Sequence, residues 1–157
     1  SSQVRNIIEG AKICRVLTDK LREINGAGLA APQIGLPYRV FVFEVRKTEM
    51  FPDREESPLY TMINPEFDVL SDDTLDDYEG CFSVPGYLGI VPRYSKLRAR
   101  WTDPDESQRE EVFEGYIARV LQHEMDHLNG MVYLDRMPDM SSLCTRENYM
   151  RFRAPIE

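Results

Sequence analysis

Apolar residues near the start of the chain recur at steps of three and four: Ile7, Ile8, Ala11, Cys14, Leu17, Leu21 and Ile24. On a helix of 3.6 residues per turn this spacing forms one apolar stripe, so the pattern predicts an amphipathic helix between Val4 and Ile24. Asn25-Gly26 supplies its stop, and Gly28 and Pro32 argue against any continuation. Cys14 lies on the stripe and is expected in the core.

Further along, Tyr38 to Val45 reads as a strand, followed by a polar connection containing Pro52 and Pro58 and a short apolar run from Leu59 to Ile63. Asn64-Pro65 is expected to end that run, with a separate strand from Glu66 to Leu70. The acidic residues Asp72, Asp73, Asp76 and Asp77 are expected in an exposed turn, and no Gly-bent loop of calcium ligands is present there. Ile90-Val91 and Lys96 to Thr102 read as strands, and Asp103-Pro104-Asp105 as the turn into Glu110 to Phe113. Pro92 suggests an edge or a bulge. From Gly115 the helical period returns through Ile117, Val120, Leu121, Glu124 and Leu128, stopping at Asn129-Gly130.

With 157 residues, 42% of them hydrophobic, the chain fits one domain, 1–157, around a single core. No apolar run approaches the roughly 18 residues of a membrane span. The start, Ser1-Ser2-Gln3-Val4-Arg5, has no apolar signal core and no initiator Met, which reads as a processed or truncated beginning. Three cysteines without a small-scaffold spacing favour a reducing compartment. The net charge of −8 argues against a phosphate-binding surface and so against sequence-specific nucleic-acid binding. Arg93, Lys96, Arg98 and Arg100 are expected to form the solvated face of a strand.

The second helix carries the chemistry. Within Gln122-His123-Glu124-Met125-Asp126-His127 the only two histidines of the chain stand four residues apart, on one helical face. Both imidazoles can reach one metal ion, and Glu124 lies within a turn of both, placed to take the proton of an attacking water. A catalytic metal usually has three protein ligands. A metzincin-like third His is excluded, because Tyr133 occupies its place. Two sources remain open: Glu147 in an expected C-terminal helix, as in a thermolysin-like peptidase, or Cys81 in the turn Glu79-Gly80-Cys81-Phe82-Ser83. A third segment, Gly26-Ala27-Gly28-Leu29-Ala30-Ala31-Pro32-Gln33, has glycines that permit close backbone approach and a Gln amide able to polarise a carbonyl.

Together the three segments resemble the peptide deformylase family, matching its Gly-x-Gly-x-Ala-Ala-Pro-Gln, Glu-Gly-Cys-x-Ser and Gln-His-Glu-x-Asp-His motifs in order. Val91-Pro92-Arg93 and Leu128-Asn129-Gly130 extend the resemblance over about residues 4–137. It implies an α+β fold, with mixed, mainly antiparallel sheets packed around a central helix that carries the metal-binding motif. The implied activity is hydrolysis of the N-formyl group from the formyl-Met of nascent polypeptides, releasing formate. Cys81, His123 and His127 would hold one divalent ion, commonly Fe(II), with Zn, Ni or Co as replacements. Glu124 would carry the proton, while the Gln33 amide and the Phe82 backbone N–H would donate to the formyl oxygen. Ala27, Gly28 and Gly80 would pair with the substrate backbone, and Tyr116, Arg119 and Val120 would line the Met pocket.

Further expectations concern neighbours and partners. Gln122 and Asp126 are placed to orient the histidines, and Glu79 to pair with Arg93. Family members usually carry an N-terminal strand before the first helix; its absence here would expose a sheet edge and leave room for a homodimer. Leu88 stands where many bacterial members have a substrate-facing Arg. Arg146, Arg151 and Arg153 leave room for a transient ribosome contact, although a frayed tail is the simpler expectation. The resemblance implies a bacterial cytoplasm or, in a eukaryote, a mitochondrion or plastid. A catalytically retired member that binds formyl-peptides is the alternative from another class, and the complete set of catalytic side chains argues against it.

Overall fold

The computed structural model describes residues 1–49 and 51–153. Helix α1 spans Ile7–Ile24. It starts later than Val4 because the Asn6 side chain caps it, accepting from the Ile8 N–H at 2.9 Å. Asn25, in the left-handed region at φ 54°, ends it. The buried stripe is Gly10, Ile13, Cys14, Leu17, Thr18 and Leu21. Ile8, expected on that stripe, is 66% exposed, since it falls on the opposite side from Leu17 and Leu21.

Eight strands follow in two sheets. The larger has the order β1-β2-β3-β6-β7, made of Gly28–Ala30, Val40–Phe43, Tyr60–Val69, Lys96–Thr102 and Gln108–Glu114. The smaller, β4-β5-β8, is made of Thr74–Cys81, Val84–Tyr94 and Cys144–Thr145. All pairings between these strands are antiparallel, and a lone parallel bridge joins Ser2 to Tyr38.

Three expectations about strands are corrected. Asn64-Pro65 does not end a strand: β3 runs through it, because a bulge between Ile63 and Glu66 absorbs the proline. Asn64 sits there at φ 51°, and its amide bonds both the N–H and the carbonyl of Val4 at 2.8 and 2.9 Å. The acidic stretch is not all turn, since Asp76 and Asp77 lie on β4, an edge strand whose exposed positions admit charge and so hide its period. Strand β5 is also longer than Ile90-Val91, because Pro85, Gly86, Gly89 and Pro92 interrupt its pattern. Beside Pro92 only β4 pairs with β5, β8 reaching no further than Tyr87 and Leu88, which is the edge-like setting a proline needs.

Among the described residues three apolar clusters form instead of one core, the smallest of them Leu88, Cys144 and Tyr149. The run Val40-Phe41-Val42-Phe43 is apolar on both faces. Phe41 and Phe43 join Met62, Leu97, Trp101 and Phe113 against helix α2, Gly115–Leu128, while Val40 and Val42 join Leu17 and Leu21 of α1. The larger sheet is thus covered by α1 on one face and α2 on the other. Helix α2 is buried nearly all round, so its polar residues Arg119, Gln122, Glu124, Asp126 and His127 are all inside. Buried polar side chains on a central helix are the informative exceptions in a core. Among the described residues, no helix is long and apolar enough to cross a membrane.

Candidate metal centre

Strand β4 ends at Cys81, which pairs with Val84 across the two-residue turn Phe82-Ser83. A register shift between Glu79 and Cys81 breaks the strand's alternation just before the thiol. Gly80 lies in that irregularity, where a Cβ would come within 2.5 Å of Leu88 Cδ2. Helix α2 brings His123 and His127 to the same place. Cys81 Sγ lies 3.3 Å from His127 Nε2, and the two histidine Nε2 atoms are 3.2 Å apart. Among the described residues these three form the group of metal-ligand type, with donor atoms within 4.8 Å of one another. Glu147, the other predicted ligand, is exposed on the short helix α3, Arg146–Asn148, and is not part of it.

The donor set fits a divalent ion. Tetrahedral coordination at the usual Zn–N and Zn–S lengths sets ligand atoms roughly 3.4–3.6 Å apart, close to the two spacings above. Burial pushes the Cys81 thiol up, but hydrogen bonds with His123 and His127 outweigh it and favour the thiolate, the form that binds metal.

Beneath the ligands lies a buried charge network. Glu79 Oε1 is 2.8 Å from His123 Nδ1. The same carboxylate accepts from Arg93 Nε and Nη2 at 2.8 and 2.9 Å and from Arg119 Nη1 at 2.7 Å. Asp126 accepts from Arg93 Nη1 at 2.6 Å and from Arg136 Nη2 at 3.0 Å. The expected Glu79–Arg93 pair is present, but Arg93 is 5% exposed and not part of a solvated face. Its place on β5, facing α2, explains the difference, whereas Lys96, Arg98 and Arg100 on β6 do face outward and meet Glu114, Glu110, Glu66 and Asp68.

Glu124 points into the site. It is 3% exposed, and its Oε1 has no hydrogen-bond partner. Burial pushes its carboxyl up, opposed by His123 and His127, to about 7. A carboxyl poised near neutrality can both take and return a proton. Gln33, in the 3-10 turn Ala31–Ile34, faces the same space: its Oε1 accepts from Ala30 N–H at 2.9 Å, while Nε2 lies 3.5 Å from Cys81 Sγ and 3.1 Å from Ser83 Oγ.

The polypeptide deformylase family model matches residues 1–142. The chain belongs to the polypeptide deformylase family. Peptide deformylase 1 of Nitrosomonas europaea is 43% identical over 124 residues, 79% of this chain and 70% of that protein. Peptide deformylase 1 of Prochlorococcus marinus is 38% identical over 147 residues, 89% of this chain and 77% of that one. A class I type b peptide deformylase structure from Acinetobacter baumannii superposes with a TM-score of 0.81 at 31% identity, covering 87% of this chain and 88% of its own. The Synechococcus elongatus enzyme, solved in complex with actinonin, gives 0.79 at 30% identity, covering 90% and 73%. The α+β fold of antiparallel sheets around a ligand-bearing helix is the deformylase fold.

Within the deformylase frame the remaining residues are placed as follows. Gly28 is on β1 and packs against Glu124, and Ala27, just before it, accepts from Glu44 N–H at 2.9 Å. Phe82 stands at the tip of the β4–β5 turn, half-exposed, its ring over Gly26. Tyr116 and Val120 lie one turn apart on α2 beside the larger apolar cluster. Arg119 directs its guanidinium to Glu79 and to the carbonyls of Val91 and Leu75 at 2.8 and 2.6 Å, leaving its stem for any pocket.

Gln122 and Asp126 do not orient the histidines. The Gln122 side chain bonds the Tyr94 N–H and carbonyl at 3.0 and 2.9 Å, and Asp126 is held by the two arginines. Residues one position from each histidine point to a different side of the helix, so Glu79, from another strand, orients His123. Its position two residues before Cys81 was the available signal.

Proposed function

We propose that this chain removes the N-formyl group of nascent polypeptides, usually on Met, as a metal-dependent amide hydrolase, releasing formate and a free α-amine. The observation that carries the reading is the buried, unpartnered Glu124 carboxylate facing the converging donors of Cys81, His123 and His127. These three residues would hold one divalent ion, which when bound lowers the pKa of the attacking water and polarises the formyl carbonyl. Fe(II) is the proposed native ion, following the resemblance, with Zn, Ni or Co as substitutes, since thiolate and imidazole donors suit several of these metals.

Glu124 accepts the proton of the attacking water and returns it to the amine nitrogen as the C–N bond breaks. Water thus supplies the hydroxyl of formate and the hydrogen of the amine. As charge gathers on the formyl oxygen, the Gln33 amide and the Phe82 N–H donate to it. The substrate backbone lies along Ala27 and Gly28, beside β1, the outermost strand of the larger sheet among the described residues, and reaches Gly80. Tyr116, Val120 and the stem of Arg119 line the space for the first side chain. Exposed Arg146 and Arg151 serve a transient ribosome contact, which cosedimentation of a variant truncated after Cys144 would test. The working compartment is a bacterial cytoplasm or a eukaryotic organelle.

Formate release from formyl-Met peptides by anaerobically purified protein, with Glu124→Gln as the inactive comparison, tests the assignment. Absence of turnover by metal-replete wild type would overturn it.

A further inference from the structure

Gly28 occupies ordinary strand backbone in β1, where its φ makes no demand for glycine. What demands glycine is Glu124. A Cβ at position 28 would come within 2.6 Å of Glu124 Oε2, 2.8 Å of its Cδ and 3.0 Å of its Cγ. We infer that Gly28 is a positioning residue for Glu124: the missing side chain forms the seat that holds the carboxylate beside Cys81, His123 and His127. The inference rests on Glu124 as the proton carrier of the proposed reaction.

Neither wall of the seat can yield easily. Strand β1 is tied to β2 in the register Gly28 with Phe43, and the Ala27 carbonyl is held by Glu44 N–H at 2.9 Å. On the other side, Leu121 and Met125 anchor α2 in the larger apolar cluster. The atoms that a new methyl group meets are the end of one side chain, so the carboxylate moves and the backbone stays. The cost of Gly28→Ala therefore falls on catalysis and little on folding. A residue that only pairs its backbone with substrate behaves differently, because alanine keeps the same N–H and carbonyl.

The test uses metal-loaded Gly28→Ala. Misplacing a catalytic group by about 1 Å costs roughly a hundredfold in rate. The expected result is a kcat loss of that order with KM, metal content, melting temperature and affinity for an unformylated Met-headed tripeptide close to wild type. Glu124→Asp, whose carboxylate is one methylene shorter, should cost less in the Gly28→Ala background than in wild type. Wild-type kcat, additive losses in the double variant, or a fall in metal content or melting temperature that accounts for the lost rate would each overturn the inference. Full activity in Glu124→Gln would instead refute the functional reading itself. An inactive Glu124→Gln beside a fully active Gly28→Ala would refute only the role of Gly28.

Discussion

Glu79 Oε1 and His123 Nδ1 are 2.8 Å apart. An ionised carboxylate can only accept, so the contact places a proton on His123 Nδ1 and turns Nε2, the nitrogen that would bind a metal ion, towards Cys81 and His127. Arg93 and Arg119 hold the carboxylate in place. Glu79→Gln keeps the shape but removes the charge that orients the imidazole. Such outer partners of a ligating histidine are typically worth about ten- to a hundredfold in metal affinity. Competition against a chelator should show a loss in that range, and an unchanged affinity would remove Glu79 from the account.

Gln33 has two separable tasks. Its Oε1 accepts from Ala30 N–H and stabilises the 3-10 turn, while its Nε2 faces Cys81. Gln33→Glu retains the acceptor and loses the donor. Removal of one donor to a developing oxyanion costs about a hundredfold to a thousandfold. The expected outcome is a kcat loss of that size with an unchanged melting temperature, measured by formate release and thermal unfolding. A small rate effect would show that the Gln33 amide does not touch the reacting oxygen.

Periodicity and spacing carried the two helices and the metal motif because His123 and His127 depend only on helical geometry. Strand β4 was hidden for a physical reason: an edge strand tolerates charge at Asp76 and Asp77, so its sequence imitates a turn. Strand β3 looks like two pieces in the sequence because a bulge can carry a proline through a strand without a local sign of it. Partners distant in sequence were the least legible. The resemblance implies a pocket role for Arg119, but nothing in the sequence signals that its guanidinium meets Glu79, 40 positions earlier, and two carbonyls of strands β4 and β5.

The source of the third ligand can be decided by two substitutions. Cys81 lies 3.3 Å from His127 Nε2, whereas Glu147 is exposed on α3. Cys81→Ser exchanges a thiolate for a neutral hydroxyl and should deplete both bound metal and deformylase activity. Glu147→Gln should leave both at wild-type levels. Metal analysis of purified protein gives the answer, and the opposite pattern would return the site to a thermolysin-like ligand set.

Alkaline stability should depend on Cys14. Burial, with a smaller push from Asp103, raises its thiol from 9.0 to about 12. The folded state therefore holds this proton more tightly than the unfolded chain does. The contribution to stability is complete below pH 9.0 and is lost as the pH rises towards about 12. Within that window each pH unit removes up to about 1.4 kcal/mol. Cys14→Ala has no thiol to titrate, so denaturant titrations from neutral to alkaline pH should show wild type falling more steeply than the variant above pH 9.0. Any fixed difference in packing between them is already present at neutral pH and leaves the slope untouched. Parallel profiles throughout would mean that the Cys14 proton is not linked to folding.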